Sequence, residues 1–527
     1  MFYQKTNAEK MRILILLSSS VSVFIISYVS TALVTILPVL QKKFNIPPAE
    51  SQWLLTLYFM ICIILLIPCG KLYDMLDKHK LFIFAICIYA AGSVIMLFAS
   101  TSSILFCGRA IQGCGAALIG AGSLTIIKIY TPQEKLLNDI SVWKAVNNVG
   151  YCVGPILGGF LSEVFGWQYF LYICIFLSAI TIFTLLKSIK FVPEKITEFS
   201  RKTVNCKNIL FSPIEFTAFV VLAVGLSLTV IALVNISSCN FAMESTLYYL
   251  IIGLVLITIF ILSELLHYSS LLSLKLLKNK IFLIGIIGTI TISSTLGAGI
   301  SYIFSIFSQN KLTLNLNTLE VGTFLLILNI SWILGNIAAS TFKRFIGIYQ
   351  CIFLTFFTNS LAILLLIFCS YRPNWLLVLA AFVIIGVSSG ILCPILVSIC
   401  MDKTEHETAG KASSLLILTY YISDLIGMTL FSIIYFGFSR FSALNQIPKY
   451  GATYFINNET TLNKILAGNI DLINEIASKL GINYIHLHKI LQNGILSGYV
   501  AALVFTLIIL ISGIIVISIL FHYNSRN

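Results

Sequence analysis

Charged side chains are scarce in this chain. Of its 527 residues only 10% are charged, whereas 58% are hydrophobic and the mean hydropathy is +0.98. A soluble globular protein carries about 25% charged residues, so this composition excludes a protein whose whole surface faces water. Apolar runs of about 20 residues, each long enough to cross a bilayer, recur along the chain. The sequence therefore predicts an all-α membrane protein.

Acidic residues are the scarcer charged class, with 20 Asp and Glu against 33 Lys and Arg and a net charge of +13. The basic residues concentrate in short segments on one side of the apolar runs, which indicates membrane topology rather than nucleic-acid binding. We predict an integral plasma (inner) membrane protein with both termini cytoplasmic. The predicted spans number fourteen and cover approximately 12–40, 51–70, 81–100, 104–127, 139–162, 168–187, 213–235, 244–266, 281–307, 319–341, 351–370, 375–400, 411–437 and 494–521.

Sequence patterns for metals, disulfides and catalysis are also missing. The 13 cysteines are an odd number, most lie within predicted spans, and none forms a CxxC or Cys/His metal spacing. No paired acid and base, nucleophile constellation or phosphate-binding loop is apparent. The sequence therefore predicts no metal, no cofactor and no enzymatic activity.

Glycine is abundant where a water-soluble helix would avoid it. The stretch GYCVGPILGGFL places Gly150, Gly154 and Gly158 four residues apart and adds Pro155 and Gly159. In a helix interior glycine costs about 1 kcal/mol and proline about 3 kcal/mol. In a membrane, neighbouring helices can satisfy the freed backbone groups, and small residues four apart let two helices approach closely. We therefore predict a tight helix joint here.

Two further stretches carry charges in informative places. The turn that begins at Gly70 contains Asp74, which could cap the next helix or face a helix N-terminus, and Gly70 would allow a tight bend. Arg109 lies inside the fourth predicted span. A charge in a span is costly and usually functional, although arginine can also extend its head group to the interface. We favour a functional role for Arg109.

Three of these stretches resemble motifs of one transporter family. GKLYD from Gly70, RAIQGCGAA from Arg109 and GYCVGPILGG from Gly150 are similar to motifs of the major facilitator superfamily, in its drug:proton antiporter branch with fourteen spans. The resemblance covers nearly the whole chain and is strongest in the first six spans. It implies two six-helix bundles that flank a central cavity and rock to give alternating access.

The resemblance also implies a division of the chain. Residues 1–189 would form the first bundle, 190–211 a cytoplasmic linker, 212–270 two inserted membrane helices, and 271–527 the second bundle with an outer loop at 440–493. The glycine stripe would pack against a helix of the other bundle and favour antiport over leakage, or would serve tight packing alone. In the outer loop, the stretch TTLNKILAGNIDLINEIASKLG predicts an amphipathic helix on the membrane surface, with a partly ordered loop as the alternative.

The first span departs from the family pattern. The branch has an acidic residue nine residues before a proline, and counting back from Pro38 gives Val29. The neighbouring Tyr28 remains a candidate substrate contact. The usual proton carrier is therefore absent, and a preference for cationic drugs does not follow from the resemblance.

Asp424 is the acid that best replaces the missing carrier, because it lies near the middle of the thirteenth predicted span. A carboxyl group there could carry protons or bind a cation. The alternative is a helix contact with a hydrogen bond to Tyr420 or Tyr421, and Tyr420 is also a candidate substrate contact. Glu163 and Glu264 lie at span ends and are expected to stay close to water.

Lys144 lies early in the fifth predicted span and leaves two possibilities open. It could extend its ammonium group to the cytoplasmic interface, or it could attract an anionic substrate. The function that fits best is a proton-coupled exporter of small organic compounds, monomeric, with a small-molecule substrate, protons and the lipid bilayer as its partners. The alternatives are the same fold moving an anionic metabolite or siderophore, and a membrane sensor without transport.

Overall fold

The computed structural model describes residues 2–46, 51, 53–189, 212–237, 243–266, 274–372, 374–447, 454–455, 459–466, 471–480 and 483–525. Over these ranges the chain is helical and contains no β-strand, so the predicted all-α class is confirmed there. The linker predicted over 190–211 lies outside the described residues.

The long helices follow the predicted spans. In chain order they are α1 Phe2–Phe44, α2 Trp53–Met75, α3 Lys78–Leu97, α4 Ser102–Tyr130, α5 Gln133–Val164, α6 Tyr169–Ile189, α7 Pro213–Ser237, α8 Met243–Leu266, α9 Lys280–Gln309, α10 Thr318–Ile346, α11 Ile348–Tyr371, α12 Trp375–Asp402, α13 Ala409–Gln446 and α14 Tyr484–Ser525. A five-residue helix, Leu274–Lys278, precedes α9.

Thirteen helices in the described ranges are long and apolar enough to cross a membrane, which indicates a multi-pass membrane protein. The long helix that is not among them is α5, which carries the charged residues Glu134, Lys135, Asp139 and Lys144. The total of fourteen spans therefore stays a prediction.

Several helices begin at polar caps that the sequence supplies. Asp77 accepts hydrogen bonds from the backbone N–H groups of His79 (3.1 Å) and Lys80 (3.2 Å) and so caps α3. Asn279 and Asn374 cap α9 and α12 in the same way. Such side-chain oxygens satisfy N–H groups that have no partner within the helix. Asp77, and not Asp74, therefore caps the helix after the first turn.

The turn after α2 is shorter than predicted. Helix α2 continues to Met75 and α3 starts at Lys78, so Gly70 lies inside α2. The expectation that Gly70 forms a bend is wrong. Its role is a close helix contact, described below, because a glycine in a membrane helix removes the side chain that would keep a neighbour away.

Within the described residues, six long helices precede α7 and α8 and six follow them; these are called the first set and the second set. Within the first set, α1–α6, the extensive contacts join α1 to α5, and α4 to both α2 and α3. Within the second set, α9–α14, they join α10 to α12, α13 to α14, and α9 to both α12 and α13. The sets meet where α13 packs on α2 and α4, and where α5 packs on α10. The contacts of the first helix with the fifth and of the second with the fourth thus occur in both sets.

Helices α7 and α8 pack on each other, and α7 contacts α2 and α13, where the two sets meet. Lys71 of α2 forms a salt bridge of 2.6 Å with Glu215 of α7. Glu264 near the end of α8 is only 6% exposed. The expectation that Glu264 stays close to water is therefore wrong, because its helix end is covered by protein.

The predicted amphipathic segment is helical, but its apolar face does not lie on the membrane. It forms two short helices, Glu459–Leu466 and Asp471–Leu480. Leu462, Ile465 and Ile473 are fully buried in the core of the second set. Asn310 donates a hydrogen bond of 2.7 Å to the Leu466 carbonyl. The membrane-surface placement is thus corrected, because the second set itself supplies the apolar surface.

Candidate functional site

Helix α5 has two faces with different roles. Its glycine stripe contacts α1, where an added Cβ atom at Gly150 or Gly154 would approach the carbonyl oxygens of Phe24 (2.8 Å) or Tyr28 (2.7 Å). The tight joint is therefore present, but it joins two helices of the first set. The expectation that the stripe packs against the other bundle is wrong, because the atoms nearest to its glycines belong to α1.

The remaining residues of the stretch differ in how closely they pack. Helix α5 continues through Pro155, which is exposed. A Cβ at Gly158 would come within 2.9 Å of the Ala32 Cα, whereas one at Gly159 would stay 3.6 Å from Thr35. Tyr28 is fully buried against this joint and does not line the cavity described below. Its predicted place at the substrate is therefore corrected.

Arg109 is fully buried inside the first set. Its Nε donates to the Leu54 carbonyl at 3.2 Å and its Nη1 donates to Gln112 Oε1 at 3.0 Å. The guanidinium carbon lies 3.8 Å from the centre of the Tyr58 ring. Gln112 donates onward to Ser93 at 2.8 Å. This network links α2, α3 and α4 and lies away from the cavity, so Arg109 neither reaches the interface nor faces Asp424.

The two sets close on each other at the end predicted to be cytoplasmic. Gly70 of α2 lies directly against Gly410 of α13, and an added Cβ on either would overlap the partner's backbone. Asp74 accepts hydrogen bonds from the backbone N–H groups of Gly410 (2.6 Å) and Lys411 (3.1 Å) at the start of α13. A carboxylate is favoured at a helix N-terminus. Asp74 therefore faces a helix N-terminus, as one of its two predicted roles required.

Further hydrogen bonds support this contact. Thr125 donates to the Ala409 carbonyl at 3.3 Å, Lys128 donates to the Asp402 carbonyl at 3.2 Å, and Ser413 donates to the Gly120 carbonyl at 3.4 Å. We call this region, defined by Gly70, Asp74, Gly120, Thr125 and the 409–414 segment, the closed end.

Beyond the closed end a cavity of about 280 Å³ lies between the two sets. Helices α1, α4 and α5 line it from the first set and α9, α10, α12 and α13 from the second. The lining residues are Val23, Ile26, Gly120, Trp143, Lys144, Asn147, Asn148, Tyr151, Ser293, Gly297, Ala298, Ser301, Leu328, Asn329, Trp332, Cys393, Ile417, Tyr420, Tyr421, Asp424 and Met428. The cavity therefore combines aromatic, amide and charged groups from both sets.

Asp424 and Lys144 enter this cavity from opposite sets. Asp424 accepts a hydrogen bond from the Ser293 hydroxyl, not from Tyr420 or Tyr421. Lys144 Nζ lies 3.7 Å from the centre of the Tyr420 ring and 5.4 Å from that of Trp143. Lys144 and Asp424 form no direct ion pair. Lys144 thus faces the cavity, as required by the second of its two predicted roles, the attraction of an anionic substrate.

A local change in helix geometry brings Ser293 to Asp424. Within α9, Ser293–Gly299 is π-helical. Such wide turns occur mostly as short bulges and are frequent at functional sites. Single-sequence reasoning missed this segment, since a run of Ser, Thr and Gly does not reveal π-helical geometry.

Reasoning from the sequence also missed two other groups of polar residues. Asn147, Asn148 and Tyr151 follow Lys144 at helical spacing, and this polar pattern in an apolar helix was a usable signal. Arg12 and the buried Asp139 form a bidentate pair, with distances of 2.8 Å and 2.7 Å, that ties α1 to the start of α5. Across the described residues, no group of three or more His, Cys, Asp or Glu is arranged to hold a metal ion.

Comparison with known proteins places these features in a family. A family model described as Major Facilitator Superfamily matches residues 19–428. The riboflavin transporter RibZ of Clostridioides difficile is 26% identical over 47% of this chain and 50% of RibZ. The multidrug resistance protein Stp of Mycobacterium tuberculosis is 24% identical over 37% of this chain and 36% of Stp. The putative multidrug resistance protein MdtD of Escherichia coli is 25% identical over 50% of this chain and 53% of MdtD.

The chain thus matches about half or less of the length of these curated relatives. Solved structures cover more of it. The human organic anion transporter MFSD10 (TETRAN) has a TM-score of 0.54 at 12% identity, and the match covers 82% of this chain and 94% of the MFSD10 chain. The proton:xylose symporter XylE bound to 6-bromo-6-deoxy-D-glucose has a TM-score of 0.56 at 11% identity, and the match covers 96% of this chain and 95% of the XylE chain. At such identities the likeness shows the fold.

Proposed function

Because the chain belongs to the major facilitator superfamily, we propose that this transporter exports small organic compounds by proton-coupled alternating access. The observation that carries the proposal is the cavity between the two sets, with a carboxylate from one set and an ammonium group from the other. Two relatives are named for multidrug resistance and one for riboflavin transport, which supports small organic molecules as the cargo.

The packing supports alternating access between the two sets. The closed end blocks one side of the cavity through contacts between α2, α4 and α13. In the proposed cycle these contacts break when the sets rock, and the cavity then opens to that side. We propose that residues 1–189 and 271–527 move as the two bundles and that α7 and α8 are the inserted pair. Positive charge in the short loops supports an inner-membrane protein with cytoplasmic termini.

Asp424 is the proposed proton carrier. Antiport needs a group that changes charge during the cycle, and arginine keeps its proton in proteins. Arg109, buried in its network, is instead proposed to hold α2, α3 and α4 in place. Asp424 lies in the cavity wall, where the hydroxyl of Ser293 can donate to the charged carboxylate and still accept from the protonated carboxyl.

The test compares wild type with Asp424→Asn in liposomes that carry a pH gradient and a panel of small organic compounds. The wild type should accumulate a transported compound against its gradient. The Asn variant should lose accumulation, by at least about tenfold in rate, while it retains exchange of the compound down its gradient. Glu163→Gln is the matched control, since Glu163 is an exposed acid of α5.

Accumulation by the Asn variant at the wild-type rate would show that the proton travels by another route. A protein that binds compounds from the panel without moving any of them would favour the membrane-sensor alternative.

A further inference from the structure

With Lys144 protonated, the formal charge of the cavity is never negative. Of the residues that line it, Lys144 and Asp424 alone carry ionised side chains of the Asp, Glu, Lys or Arg type. When Asp424 is ionised the two charges cancel, and when it is protonated the cavity holds one positive charge. A cationic ligand therefore meets no net negative charge in either state, whereas an anion meets an uncompensated positive charge at Lys144 in one of them.

The position of Lys144 also removes the usual way to hold an organic cation. Cations bind well over aromatic ring faces. Here the ammonium group of Lys144 already lies over Tyr420, at 3.7 Å from the ring centre, and close to Trp143. A second cation at these rings would meet repulsion from Lys144. The position of Lys144 over these rings therefore selects ligands by their charge and not only by their size.

The other walls suit a flat ring with a polar edge. Trp143, Tyr151 and Trp332 offer apolar ring surfaces, and aromatic groups stack with offset or edge geometry. Asn147 and Asn329 each donate from Nδ2 to a backbone carbonyl, of Val23 at 3.3 Å and of Leu325 at 2.9 Å. Their amide oxygens can then accept hydrogen bonds from N–H or O–H groups of a ligand.

The cavity volume of about 280 Å³ lies just below the roughly 300–1,000 Å³ typical for ligand sites. It has room for one compact molecule. We propose that the substrates of this cavity are planar aromatic compounds that are neutral or carry one negative charge, and that cations are disfavoured. This inference rests on the proposed function, since it names the substrate class of the same site.

Three probes of one shape test the proposal: 2-naphthamide, 2-naphthoate and 2-naphthylmethylammonium, which are neutral, anionic and cationic at neutral pH. Equilibrium dialysis against the purified full chain measures their affinities, with the ligand followed by its absorbance. The wild type should bind the amide and the carboxylate saturably and the ammonium about tenfold more weakly, the size of a modest charge effect in a partly hydrated site. Tightest binding of the ammonium, or no saturable binding of the other two, would overturn the proposal.

Two variants of opposite sign sharpen the test. Lys144→Met keeps the length of the side chain and removes its charge, so naphthoate should weaken about tenfold and the ammonium should gain. Asp424→Asn makes the site permanently positive, so naphthoate should tighten and the ammonium should weaken. Lys80→Met, at an exposed lysine of α3 outside the cavity, should match wild type. An unchanged order of the three probes in both cavity variants would refute the charge argument.

Failure of this inference can be told apart from failure of the proposed function. Cation-selective binding together with proton-driven accumulation would remove the substrate class and keep the transporter. The predicted binding order in a protein that moves none of the probes across liposomes would keep the binding preference and remove transport.

Discussion

At the closed end, α13 meets the first set through Gly410 and backbone N–H groups, whereas about three turns further along it presents Tyr420, Tyr421 and Asp424 to the cavity. The first region has no space for an added atom between the helices, and the second leaves room for a small molecule. Helix α13 therefore contributes both to the closed end and to the wall of the cavity. Changes at the closed end should alter access to the cavity, while changes in its wall should alter which ligands bind there.

The largest effect is expected at the glycine contact of the closed end. Gly410→Val would place a branched side chain against the Gly70 carbonyl. Overpacking of this kind costs about 1–3 kcal/mol, so the closed arrangement should become unstable and transport in liposomes should fall about fivefold or more. Gly437→Val in the same helix is the control, because no atom lies within 4 Å of the added Cβ there. Equal activity of the two variants would show that the glycine contact at the closed end is not needed for transport.

A smaller effect is expected at the joint that supports the cavity wall from behind. In Gly154→Ala the new methyl group would come within 2.7 Å of the Tyr28 carbonyl and 3.1 Å of the Ala32 nitrogen. Helix α5 should shift toward the cavity, with a several-fold loss of transport from about 1 kcal/mol of strain. Gly159→Ala, whose Cβ stays 3.6 Å from its neighbour, should behave as wild type. If Gly154→Ala transports normally while Gly159→Ala does not, the joint has been placed on the wrong face.

The smallest effect is expected at Asp74. Asp74→Asn keeps one acceptor oxygen for the Gly410 N–H but removes the charge at the start of α13. Charges at helix N-termini contribute about 0.3–1 kcal/mol, so transport should fall about two- to fivefold in the same liposome assay. Asp77→Asn is the matched control, since the hydrogen bonds of Asp77 go to the start of α3 and asparagine is an equally good cap. A larger loss of transport in the control would mean that the turn between α2 and α3, and not the closed end, depends on these acidic residues.

Sequence reasoning found the members of the site better than their arrangement. Asp424 stood out because a carboxyl group in an apolar run is rare, and Lys144 stood out for the same reason. The sequence could not place Arg109 in its buried network, because Leu54, which accepts from Arg109, and Ser93, which accepts from Gln112, come from two other helices. Likewise the glycines of α5 predicted a close contact but did not identify α1 as its partner, since a glycine has no side chain that specifies a neighbour.

The sequence by itself determined that this is a helical membrane protein, where most of its helices lie, and which transporter family it resembles. Those properties depend on local composition, on the length of apolar runs and on motifs read along the chain. Only the tertiary structure decided which helix faces meet: Gly70 with Gly410, the α5 stripe with α1, and Ser293 with Asp424. Each of these contacts joins helices that are distant in sequence, and the last one also involves a π-helical segment. The geometry of such contacts depends on how whole helices pack and not on any local sequence pattern.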